Sequence, residues 1–153
     1  MPQYPIHNSR HFDIREFVDE KTWNILGIKA ACLIDPAIVR VADLLRLKVG
    51  VPVYVNTWHT GGEFSQSGFR PKWSRVGGDL SQHRCGRAVD VKVAGMTPKA
   101  VHGVIMAHSE EFEAAGLTTL ENLKDTPTWS HLDCRPKIPG WHPDSGFLIV
   151  RPV

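Results

Sequence analysis

Two short stretches about forty residues apart fix most of what this chain can become. In residues 88–93, Val89 and Val91 alternate with Ala88 and Asp90; in residues 128–134, Trp129, His131 and Asp133 alternate with Ser130, Leu132 and Cys134. A period of two is the signature of strands, each with one face for a core and an opposite face left open. Both open faces carry ionisable groups, so a fold that pairs these strands gathers carboxylates and imidazoles onto one surface.

Around these strands the chain reads as a mixture. Residues 1–12 are polar and Pro-containing and read as an arm, while residues 13–26 suggest a helix, with Asp13 as N-cap and Glu16 completing a capping box. Asp35-Pro36 opens a second helix in which Ile38, Val41, Leu44 and Leu45 recur at helical spacing until Gly50. Residues 51–58 read as a strand, and residues 59–80, dense in Gly, Ser and Pro, as a long loop of the functional kind. Thr97-Pro98 starts another helix that Gly116 closes. Residues 117–121 and 128–134 form a hairpin, and residues 147–150 a last buried strand. The expected fold is α+β, a small antiparallel sheet packed against two or three helices in a single domain spanning residues 1–153.

Composition removes several alternatives. At 153 residues and 42% hydrophobic, the chain supports one sizeable core. Its net charge of +2 comes from basic and acidic residues mixed along the chain, which argues against nucleic acid as the main partner. No apolar run approaches the roughly 20 residues that span a bilayer, and no signal peptide is legible at the N-terminus, so cytoplasmic synthesis and a monomer are expected. Cys32, Cys85 and Cys134 are odd in number and far apart, so reduced thiols are expected.

Eight histidines are many for this length. His83 lies seven positions before Asp90 across a turn containing Gly86, so the pair can approach one ion from two directions, and His131 supplies a third donor from the second strand. Two imidazoles and one carboxylate leave a fourth position for water, the pattern of a catalytic rather than a structural zinc site. Asp133 reads either as a support for its neighbours or as a surface residue. Cys85 lacks a Cys-x-x-Cys partner. His59 and His142 read as rim or loop residues, His102 and His108 as structural ones, and Trp58, Trp129 and Trp141 as groove-lining or packed aromatics.

The motif Ser81-x-His83-x-x-Gly86-x-Ala88-x-Asp90, followed by Trp129-x-His131-x-Asp133 and preceded by Ser67-Gly68-Phe69-Arg70, resembles the zinc D-alanyl-D-alanine peptidases. That family shares its fold with hedgehog signalling domains and with the L-alanyl-D-glutamate endopeptidases of bacteriophage endolysins. The likeness covers about residues 50–135. It implies a hedgehog/DD-peptidase-like fold, zinc held by His83, Asp90 and His131, and substrate contacts from Arg70 and Ser81, beside which Trp129 is a further substrate-binding candidate. The implied substrate is a peptidoglycan peptide, reached at the cell wall after release by a phage or host lysis or export system.

The chain departs from the family at one point. Many relatives carry an acid three positions before the last zinc histidine, where this chain has Thr128. The general base is therefore expected from Glu121, which can face His131 across the hairpin, with Asp125 in the turn as second choice. If neither reaches the water, the alternative is a non-catalytic, zinc-containing peptidoglycan-binding or virion structural module.

Overall fold

A computed structural model describes residues 1–152. The elements run α1 (Glu20–Leu26), α2 (Pro36–Val49), β1 (Val53–Tyr54), β2 (Ala88–Val93), α3 (Pro98–Ala107), α4 (Ser109–Ala115), β3 (Thr119–Glu121), β4 (Ser130–Asp133) and β5 (Leu148–Val150), with short 3-10 turns between them. The class is α+β. The five strands form one sheet in the order β1-β2-β4-β3-β5. No helix among the described residues is long and apolar enough to cross a membrane.

The sheet is mixed rather than antiparallel throughout. The β3–β4 hairpin forms as expected, but β5 pairs parallel to β3, with Leu120 beside Ile149, because residues 134–147 carry the chain back across the sheet end. One sheet face holds Val89, Val91, Leu120 and Leu132, all at most 1% exposed, which pack with Ile38 and Leu45 of α2, Ile105 of α3 and Phe112 of α4. Burying each large side chain contributes about 1.5–3 kcal/mol, so this layer fixes the register of the strands. The opposite face carries Asp90, His131, Asp133 and Glu121.

Several sequence expectations change in detail. The N-terminal arm is not a polar tail: Ile6 and Phe12 are fully buried, and Pro5 bridges to Asp13. The helix expected over residues 13–26 splits into a 3-10 turn, Ile14–Glu16, and α1, because Asp19 caps a new start by accepting from Thr22 N at 2.7 Å. Strand pairing in residues 51–58 is confined to β1, since the Asn56 N–H turns instead to the Glu16 carbonyl. The helix expected from Pro98 to Gly116 breaks at His108 into α3 and α4, which gives four helices rather than two or three.

The loop of residues 59–80 is anchored by residues that precede and follow it. The Arg84 guanidinium donates to the carbonyls of Gly78, Pro71 and Ser74 at 2.9 to 3.2 Å, and Phe69 N donates to Phe17 O at 2.7 Å. Gly68 makes that last approach feasible, because a Cβ there would lie 2.4 Å from the Phe17 carbonyl oxygen.

The Asp13–Glu16 capping box carries a pH signature. Glu16 accepts from Asp13 N at 2.8 Å, and burial, with the Asp13 charge beside it, pushes its carboxyl up to about 7. The folded protein therefore holds a proton that the unfolded chain has already lost, and stability falls as pH rises from the ordinary glutamate range through 7. Glu16→Gln keeps the acceptor and removes the titration. Between pH 5 and pH 8, wild type is expected to lose about 1–2 kcal/mol relative to the variant in urea denaturation, after discounting for partial exposure. Parallel pH profiles would contradict this.

Candidate metal centre

Three elements bring the site together. Asp90 of β2 pairs directly with His131 of β4, so their side chains stand next to each other on the open face. On the far side of β4, Leu120 pairs with Leu132, and the following residue, Glu121, reaches His131 with Oε1 3.8 Å from Nδ1. His83 arrives from a separate 3-10 turn, Gln82–Cys85, which Ser81 caps by accepting from His83 N. Gly86 ends that turn at φ +69°, and a Cβ there would lie 1.8 Å from the Leu33 carbonyl oxygen. Glycine is thus required twice over, by backbone conformation and by space.

The three expected metal ligands converge. His83 Nε2 lies 3.2 Å from His131 Nδ1 and 3.3 Å from Asp90 Oδ1, and His131 Nδ1 lies 3.0 Å from Asp90 Oδ1. This near-equilateral triangle of donors could hold a metal ion. The outward nitrogens of both rings are anchored. His83 Nδ1 donates to the Gly68 carbonyl at 2.8 Å, and His131 Nε2 donates to Asp133 Oδ2 at 3.0 Å. Those bonds set the tautomers, so in the neutral rings the inward nitrogens offer lone pairs to the same point as the carboxylate oxygen.

Three acceptors facing one another repel unless a positive charge sits among them, and the local electrostatics reflect this. Burial disfavours protonation of both rings. For His83 burial outweighs the attraction of Asp90 and, with the His131 and Arg70 charges beside it, holds the imidazole below its ordinary value. His131 is pushed up to about 9 by Asp133, Asp90 and Glu121 acting against its burial. Asp90, despite its burial, is held well below the usual carboxylate range by His83 and His131.

A ring of supporting groups surrounds it. Asp133 is fully buried and bonds both His131 and the Arg135 guanidinium, which settles it as a support rather than a surface residue. Arg135 has no sequence signal beyond its position two residues after Asp133, and sequence reasoning missed it. The Gly68 carbonyl was equally illegible, being backbone. Arg70 donates from Nη2 to Asp90 Oδ2 at 2.6 Å and from Nε to the Gln66 carbonyl at 2.7 Å, so its first contacts are within the protein. Replacing Asp133 with Asn is expected to lower divalent-metal affinity roughly 10- to 100-fold, measured by competition with a chromogenic chelator. Unchanged affinity would mean that His131 needs no such partner.

The centre opens into a cavity of about 180 Å³ lined by His83, Asp90 and His131 together with Glu121, Arg70, Ser81, Trp129 and Arg135. Glu121 is largely buried, and desolvation raises its carboxyl above the ordinary glutamate value. Asp125 is exposed in the turn and does not line this cavity, so of the two candidate bases only Glu121 reaches the site.

The remaining sequence candidates lie elsewhere. Cys85 is exposed. Trp58 Nε1 donates to Val18 O, and buried His142 bonds Ile138 N and Thr119, so both are structural. His59 lies in a separate cavity beside Arg15 and Glu16. His102 is buried, and His108 pairs with Glu111. Trp141 is half exposed, with the Arg135 guanidinium over its ring. No family model, curated protein or solved structure matches the chain.

Proposed function

We propose that the protein is a zinc peptidase of the hedgehog/DD-peptidase type, acting on the peptides of bacterial peptidoglycan, in line with the motifs at residues 67–70, 81–90 and 129–133. The chemistry of the donor set supports zinc. A tetrahedral ion with ligands at 2.0–2.1 Å needs donors about 3.3 Å apart, close to the 3.0 to 3.3 Å separations among His83, Asp90 and His131. Two imidazoles, with the His131 ring giving up its inward proton on binding, and one carboxylate suit zinc, and three protein ligands leave a coordination position free.

Zinc in such a site supplies Lewis acidity, making water nucleophilic near neutral pH and polarising a carbonyl oxygen. The chain's own residues supply the rest. Glu121, beside the triad in the same cavity, takes a proton at its carboxylate from the attacking water and returns it to the leaving amine nitrogen. The carbon–oxygen bond forms, the carbon–nitrogen bond breaks, and the proton count closes. Arg70 and Asp133 hold two of the ligands in orientation, while Ser81 and Trp129 line the space where the peptide lies.

The observation that carries this function is the Glu121 carboxylate next to three converging donors. It supplies the acid that Thr128 cannot, and it favours an enzyme over a passive binding module. The test is turnover of purified muropeptides by zinc-loaded protein, followed by chromatography and mass spectrometry. New peptide fragments are expected; muropeptides left intact by fully zinc-loaded, folded protein would overturn the assignment.

A further inference from the structure

We infer that Arg135 is a substrate-binding residue: its guanidinium, held by Asp133 along one edge, takes a carboxylate of the peptide, on a residue adjoining the scissile bond, along the other. This deepens the peptidase assignment and rests on it.

A guanidinium has more than one edge that can grip a carboxylate with a parallel pair of N–H groups. Asp133 occupies the edge formed by Nε and Nη2 of Arg135. The edge formed by Nη1 and the remaining hydrogen of Nη2 makes no hydrogen bond among the described residues, and Arg135 lines the cavity beside His83, Asp90 and His131. The group is held in place. Arg135 N donates to Asp133 Oδ1 at 3.1 Å, its carbonyl accepts from Thr118 Oγ1 at 2.6 Å, and Pro136 after it restricts its backbone. The Trp141 ring lies 5.7 Å from the guanidinium carbon. Only 12% of the side chain is exposed, so a carboxylate on its open edge is paired away from bulk water, where such a bond counts most.

Arg70, the other guanidinium of this cavity, is less open. Its Nε and Nη2 hold the Gln66 carbonyl and Asp90, and Gly77 packs so close to Nη1 that a Cβ there would lie 2.8 Å from it. Asp133, by contrast, divides its charge between Arg135 and His131, which leaves the positive charge of Arg135 only partly answered. The cavity, about 180 Å³, falls below the roughly 300–1,000 Å³ of pockets that enclose a small ligand, so it admits the groups next to the scissile bond and little else. A carboxylate reaching Arg135 there is carried by an adjoining residue, either on a side branch or at the free end of the peptide.

The experiment compares muropeptides whose carboxylates are all free with versions amidated at the side branches alone or at the chain end alone, each incubated with zinc-loaded wild type and Arg135→Lys. With wild type, one amidation is expected to lower kcat/KM about 10- to 100-fold, and which one it is names the source of the carboxylate. Arg135→Lys keeps a cation for Asp133 but has no second edge, so it is expected to cut free and amidated forms with kcat/KM within about threefold of each other, its zinc content unchanged. A purely structural role would slow both forms equally and preserve their ratio. That result, or a wild type indifferent to both amidations, overturns the inference and leaves the peptidase assignment standing. Peptide binding to zinc-loaded Glu121→Gln, followed by tryptophan fluorescence, gives a readout separate from turnover. If wild type cuts nothing, a preference for the free form that vanishes when Arg135→Lys is added overturns the peptidase assignment and supports Arg135 as the carboxylate-binding residue. Equal binding of free and amidated forms overturns the inference.

Discussion

Alanine at position 83 is expected to strip the protein of zinc. After loading and dialysis, wild type should retain one ion per chain, whereas His83→Ala should bind more than about 100-fold more weakly, beyond the 10- to 100-fold typical of losing a supporting partner. The reason lies in geometry. His83 Nε2 closes the triangle from the turn side, 3.2 Å from His131 and 3.3 Å from Asp90, and without it the remaining two donors come from neighbouring strands and leave half the ion bare. His83 is 1% exposed, so the variant also loses packing and its bond to Gly68. Thermal melting of the metal-free proteins separates that cost from the loss of metal. His108→Ala, at the α3–α4 break and partly exposed, is the matched control and should keep its zinc. Full zinc retention by His83→Ala would remove His83 from the ligand set.

Glu121→Gln is expected to lower muropeptide turnover by about 10²- to 10⁴-fold, the usual contribution of a positioned general base, with zinc content unchanged. Glutamine has nearly the same shape, and Glu121 lies 3.8 Å from His131 without being part of the donor triangle, so the metal should stay. Asp125→Asn tests the competing assignment from the hairpin turn. Because Asp125 is exposed and outside the cavity, its turnover should stay within about twofold of wild type. A large loss from Asp125→Asn with none from Glu121→Gln would reverse the roles.

The site was more legible in the sequence than the fold around it, for a physical reason. Alternation along residues 88–93 and 128–134 is local, and pairing two such strands with their apolar faces inward leaves Asp90 and His131 side by side. The same alternation set Asp133 beneath His131. Element ends were harder to read, because long-range partners decide them. Asp19 stops the first helical signal only once Phe17 and Val18 need burial, and the 51–58 strand ends where the Asn56 N–H finds Glu16. The direction of β5 was invisible, since a short apolar run carries no information on parallel or antiparallel pairing. Arg70 was legible as part of the site, but its first contact is Asp90, a carboxylate twenty residues away in sequence. Backbone groups such as the Gly68 carbonyl leave no trace in a residue pattern.

X-ray absorption at the zinc edge of the reconstituted protein tests the shared-ion claim most directly. The arrangement of His83, Asp90 and His131 predicts one four-coordinate ion with two imidazole nitrogens and oxygen ligands at about 2.0–2.1 Å. A spectrum dominated by sulfur at about 2.3 Å, or lacking imidazole scattering, would mean that the metal binds elsewhere.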